Sequence, residues 1–207
     1  MPVHTPYKDA AVNQIYNLMF CDAPELFGQW NTGEAAPVFA QPLNERAVRA
    51  IADDRNIESR VRALAFNRLK REGRTVPKGV LLGVVVEAAL DRGLDTMAAY
   101  ADGRVRYINA SEKMIILEQD PQALRDARED LLNASREVLN ELQPTAQPRP
   151  GPPPRDQTRL SFIVSDGLYV GQAEISALAE DYLGGPILKA ANRLLNAAIA
   201  FASENSR

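Results

Sequence analysis

One cysteine and one histidine set narrow limits on the chemistry of this chain. Cys21 is the single thiol, and His4 lies in a leader ahead of the first helix. A cysteine–histidine pair would need that leader to fold back over the helix. Asp22, next to Cys21, would raise the thiol's pKa instead of lowering it, so Cys21 reads as a small buried hydrophobe. A single imidazole almost closes off histidine general-base catalysis and histidine-rich metal sites. A single cysteine excludes an intrachain disulfide and a four-cysteine zinc site.

Carboxylate chemistry stays open. Glu87, Asp91, Asp95 and Asp102 fall near the ends of expected strands, and Tyr100 and Tyr107 lie on strands of the same run. Oxygen ligands so placed could hold Mg²⁺ or Ca²⁺. Their spacing matches no ligand loop, however, and Asp beside Gly is also what turns use. The candidates for a ligand pocket at the mouth of the sheet are therefore Glu87, Asp95, Tyr100 and Tyr107, with no catalytic residue, metal or cofactor assigned. Gly184-Gly185-Pro186 lacks the Gly-x-x-x-x-Gly-Lys phosphate cradle and reads as one helix stopping and the next starting.

The one local charge anomaly runs from Arg55 to Lys78, with eight basic residues against Glu58 and Glu72 in a chain of net charge −3. Its candidate basic patch is Arg60, Arg62, Arg68, Lys70, Arg71 and Arg74. Phosphate contacts dominate non-specific nucleic-acid affinity, so such a helix could serve there. With one aromatic, Phe66, and no binding signature, the stretch reads better as a solvated helix face. It would meet an acidic partner or the acidic long helix of this chain, and nucleic acid is disfavoured.

The elements that must position these residues centre on Val80 to Glu118, an apolar and β-branched run broken at short intervals by turn residues. That pattern writes an antiparallel meander, with strands expected near 80–89, 94–101, 104–109 and 113–118. Asp102-Gly103 predicts a type I′ turn. The first strand is apolar on both faces, as expected of a central strand covered twice or of an interface. A second hairpin turns at Ser165-Asp166-Gly167 and should join an edge of the meander, because two strands alone are marginal.

Helical spacing marks Val12, Ile15, Tyr16, Met19 and Phe20. Asp22 can cap a short helix with Pro24 in its first turn. Phe27, Trp30 and Phe39 place much aromatic surface in an irregular stretch, which must be packed down. Asn44 opens a second helix. Asn56 is expected to cap a third, seamed by Ile57, Val61, Leu64, Ala65 and Leu69 and stopped at Gly73. Asp120 and Pro121 open a long helix burying Leu124, Leu131, Val138 and Leu142. Gln143 to Thr158 holds six of the fourteen prolines and reads as an extended connector. A short helix over 174–183 and a last one seamed by Ile187, Ala191, Leu194, Leu195, Ala198 and Ala202 follow.

The expected fold is α+β. A five- to six-stranded antiparallel meander sheet packs against the long helix and the C-terminal helix, with an N-terminal helical segment on the other face or at an edge. That divides the chain into 1–76 and 77–207, with the Pro-rich connector at 143–158. No window approaches the roughly 18 apolar residues of a membrane span, and the N-terminus lacks the pattern of an export signal, so a cytoplasmic protein is expected. Surplus apolar surface on the first strand and the last helix, without a catalytic set, points to a non-catalytic interaction or scaffold module. It would self-associate or dock on a protein partner. The alternative is a small-ligand-binding protein or carboxylate-dependent enzyme with its pocket at the sheet mouth.

Overall fold

Leu81–Leu90 forms the strand β1 on which the sheet is centred. The structure is a computed structural model describing residues 3–205, apart from the side chains of Gln29 and Trp30; the packing expected of Trp30 therefore lies outside the described residues. β2 (Gly93–Tyr100), β3 (Val105–Ile108) and β4 (Met114–Leu117) continue the meander on one side of β1. β5 (Gln157–Val164) and β6 (Gly167–Glu174) join on the other, giving an antiparallel six-stranded sheet in the order β4-β3-β2-β1-β5-β6. The second hairpin thus extends the meander at its β1 edge.

Alternation sorts the strands onto two cores. Leu82, Val85, Ala98, Tyr100, Ile108 and Ile163 face the N-terminal helices α1 (Ala10–Leu18), α2 (Ala36–Phe39), α3 (Glu45–Asp53) and α4 (Ser59–Arg71). Val84, Val86, Met97, Val105, Tyr107 and Phe162 face α5 (Gln122–Leu139), α6 (Ile175–Glu180) and α7 (Gly184–Asn205). The uninterrupted apolar run of β1 therefore has a cause, since both its faces are covered. Tyr16, Phe20, Phe66 and Leu69 share one buried cluster with the sheet residues of their face.

Several local expectations are corrected. The loop after β2 is not a type I′ turn: Gly103 takes φ 102°, but Asp102 is not among the residues at positive φ. Ala101, Asp102 and Gly103 make a longer loop, in which the Tyr100 N–H donates to Arg104 O at 3.0 Å and the Gly103 N–H to Tyr100 O at 3.1 Å. Asp102 is committed elsewhere, because its Oδ2 accepts from the Ser59 N–H at 2.6 Å and its own N–H donates to Ser59 Oγ at 3.1 Å. The first turn of α4 is thus capped by the sheet and not by Asn56, whose N–H donates to Asp54 at 2.9 Å. The reciprocal bonds reproduce a capping box between distant segments.

Asp120 does not cap α5. Pro121 is the N-cap residue, and Asp120 instead pairs with Arg125 and Arg128. Gly184 and Gly185 do not stop a helix but form the first turn of α7, where Asp181 Oδ1 accepts from the Gly184 N–H at 2.6 Å. A Cβ on Gly184 would stand 2.3 Å from Leu178 Cδ1 and 3.0 Å from Leu178 O, so a larger residue here would have to displace Leu178. The Pro-rich connector ends two residues earlier than expected, because β5 already begins at Gln157; the rest of it forms no helix or strand, but it is tied down. Thr145 N–H donates to Leu168 O at 2.8 Å, and Arg149 is 2% exposed.

Candidate functional site

The four expected pocket residues do not share a pocket. Along antiparallel strands successive side chains alternate, so Asp95 and Tyr100, an odd number of residues apart on β2, point to opposite faces. Glu87 and Tyr100 lie on the face toward the N-terminal helices, and Asp95 and Tyr107 on the face toward α7. Two carboxylates separated by the sheet cannot act on one substrate.

On the first face, Glu87 is fully buried. Its Oε1 accepts from the Tyr16 hydroxyl at 2.7 Å, and Oε2 lies 3.6 Å from Arg159 Nη1 without a hydrogen bond. Burial raises its carboxyl above the usual range, opposed by the Tyr16 hydrogen bond and by Arg159 and Arg149. The Tyr100 hydroxyl donates to Met19 O at 2.8 Å. On the second face, Asp95 accepts from the Tyr107 hydroxyl at 2.9 Å and the Ala110 N–H at 2.8 Å. Burial, and then the bond to Asp95, push Tyr107 up to about 12. This pair borders a cleft of about 340 Å³ with Met97, Leu188, Ala191 and Leu195.

The remaining acids are dispersed: Asp91 pairs with Arg155, and Asp102 caps α4. Among the described residues no three or more of His, Cys, Asp and Glu gather where a metal ion could be held. Cys21 is wholly buried, and that burial pushes its thiol far up, with Arg60 only partly opposing. The His4 ring meets the Arg149 carbonyl at 3.1 Å.

Only half of the expected basic patch lies on the surface. Arg60, Arg62 and Arg68 are buried, because α4 is enclosed around most of its circumference. Arg60 pairs with Glu58 and Glu118, Arg62 donates to Ala52 O, and Arg68 reaches Ala40 O, Gln41 and Glu72. Lys70, which donates to Asp166 O, Arg74, which pairs with Glu45, and Arg71 are exposed. The acidic α5 lies across the sheet and takes no part in these pairs.

Two features escaped the sequence reading. The first is a buried ionic seam. Arg149 Nε donates to Asp22 Oδ2 at 2.7 Å and Nη2 to Asn17 Oδ1 at 3.0 Å, while its guanidinium stacks 3.9 Å from the centroid of Phe20. Asp22 therefore serves the connector and not the Pro24–Trp30 turn, which has no side-chain cap. Beside this seam is a cavity of about 220 Å³.

The second is the β4 edge. Met114 and Ile116 are 40% and 42% exposed, whereas Ile115 and Leu117 tuck toward α7. The Asn109 N–H donates to Lys113 O at 3.0 Å, so ladder alternation makes Tyr107–Ile115 and Val105–Leu117 the next bonded pairs. Met114 and Ile116 consequently turn their backbone groups away from β3. The unbonded backbone and the exposed side chains belong to the same two residues.

No family model, curated protein or solved structure matches this chain. Among the described residues no helix is long and apolar enough to cross a membrane.

Proposed function

We propose that this chain is a non-catalytic interaction module of the cytoplasm that pairs with a second copy of itself along β4. One observation carries the reading: the two β4 residues with outward backbone groups also carry exposed large apolar side chains. Such an edge is a template for another strand.

A two-fold axis perpendicular to the sheet sets two β4 strands antiparallel with their faces matched. Centred on Ile115, it puts Met114 of each copy opposite Ile116 of the other. Each such pair can exchange two backbone hydrogen bonds while the apolar side chains cover one another. Isologous closure of this kind ends at a dimer and does not grow into a fibre. The shortness of β4 and its flanking Lys113 and Glu118 limit pairing with unrelated strands.

Sedimentation velocity across a concentration series tests this. Wild type should show a monomer–dimer equilibrium. Ile116→Lys should weaken it at least about tenfold, since burying an isoleucine is worth roughly 1.5–3 kcal/mol. Tyr182→Lys, at a position 89% exposed elsewhere on the surface, should leave it unchanged. A wild type that stays monomeric at millimolar concentration refutes the proposal.

A further inference from the structure

The geometry points to a binding site for a small zwitterion of the apolar amino-acid class in the cavity beside the Asp22–Arg149 pair. This site borders the β5–β6 hairpin, at the opposite end of the sheet from β4, and it stands independently of self-association.

The cavity lies where the segment after α1, helix α4, the connector and the β5–β6 hairpin meet, and Phe20, Asp22, Lys70, Arg71, Arg149 and Leu168 are among its walls. At about 220 Å³ it falls below the ~300 Å³ at which drug-sized pockets begin, so it suits a small metabolite. Three features fix the chemistry of the occupant. Asp22, whose side chain is 5% exposed, gives one carboxylate oxygen to Arg149 at 2.7 Å. Its other oxygen, Oδ1, is buried and has no hydrogen-bond partner among the described residues. A buried anionic oxygen left in that state calls for a donor, and an ammonium group supplies the strongest.

Lys70 and Arg71 supply the opposite need. Arg149 and Asp22 neutralise one another, so these two cations leave the cavity with an excess of positive charge. Lys70 Nζ is held over the hairpin by Asp166 O and lies 3.3 Å from where a Cβ on Gly167 would stand. A carboxylate is the complement of that end. An amine alone would face repulsion from the two cations. A carboxylate alone would leave Asp22 Oδ1 unpaired. A molecule with both ends satisfies both, and Phe20, Ile163 and Leu168 offer an apolar wall for its side chain.

Isothermal titration of the full chain with L-alanine, L-valine, L-leucine and L-methionine tests the assignment, with isoamylamine and isocaproate as the single-ended analogues of leucine. At least one amino acid should saturate. Both analogues should bind about tenfold or more weakly than leucine, the loss expected when a charged hydrogen-bonding partner is removed. Asp22→Asn should reduce the preference for leucine over isocaproate. Because that variant also touches Arg149, the exposed Arg71→Glu provides the second arm and should weaken amino-acid binding without lowering the melting temperature. Failure of all four amino acids to bind overturns the assignment. So does isocaproate binding as tightly as leucine, or affinity that is indifferent to Arg71→Glu.

Discussion

Replacing Arg149 with methionine would test whether one side chain fixes the connector. The guanidinium is wholly buried, donates to Asp22, Asn17 and Tyr16, and lies 3.9 Å from the centroid of Phe20. Methionine keeps the apolar stem but removes every donor, so the Asp22 carboxylate is left buried with neither oxygen paired. One-sided removal of a buried ion pair costs about 3–5 kcal/mol. At ~2–4 °C per kcal/mol for a chain of this length, the melting temperature should fall by about 6–20 °C. Guanidinium denaturation should show the same loss as a lower midpoint. A broad-specificity protease should then cut within Gln143–Thr158 well before the sheet unfolds. Asp22→Asn combined with Arg149→Met should destabilise less than the sum of the two single changes, with a coupling of about 0.5–3 kcal/mol. A loss below about 1 kcal/mol for Arg149→Met, or strict additivity, would refute the claim that this pair closes the connector onto the fold.

Gly83→Ala should destabilise by about 1–3 kcal/mol, the usual cost of overpacking, because its Cβ would stand 2.7 Å from Tyr100 Cδ1 and 3.1 Å from Ala99 O; an unchanged denaturation midpoint would contradict this. Glu87 gives a pH signature. Its folded-state pKa is raised by burial, so the fold holds this proton more tightly than the unfolded chain does. Its contribution is complete below the ordinary carboxyl value of about 4.3 and is lost as pH rises through the folded value. The stability of wild type relative to Glu87→Gln should therefore decline with pH over that interval and then level off. A difference that rises with pH would refute the assignment.

The two-layered fold was legible because periodicity reports burial directly. The alternation of Val105 and Tyr107 against Arg106 and Ile108, and the α5 seam of Leu124, Leu131 and Val138, appear in the structure on the faces their spacing implies. Charge was less legible, because a charged residue was equated with an exposed one. Sequence alone places Arg60, Arg62 and Arg68 on a solvated face, yet each is buried beside a carbonyl or carboxylate that local sequence does not reveal. Arg149 lies in a stretch with no large apolar residue, and its partner Asp22 is 127 residues earlier. Glu87 did carry a signal. A lone acid within a strand apolar on both faces must be buried, and must therefore find a cation, which outweighs the nearness of Glu87 to the strand end that suggests the sheet mouth.

These buried charges settle a question that the apolar pattern of β1 leaves open. A strand with one wet face has its register set by alternation, because a slip by one residue puts apolar side chains in water. β1 has no wet face, so valine and leucine positions alone discriminate weakly between neighbouring registers with β5. Glu87 lies directly opposite Arg159, and both are buried. A one-residue slip would carry Arg159 to the other face and leave Glu87 buried without the cation opposite it on the ladder. Arg159 would also lose the connector carbonyls of Pro150 and Gly151, to which it donates. Buried ion pairs add little net stability against well-packed apolar groups, but separating one is expensive. The Glu87–Arg159 pair thus raises the free energy of the wrong register more than it lowers that of the right one. Tyr16 extends the same logic to the helical layer, since it donates to Glu87 and lies under the guanidinium of Arg149, whose centre is 5.5 Å from its ring centroid. Sheet register, connector path and docking of α1 are therefore selected together by one buried polar cluster.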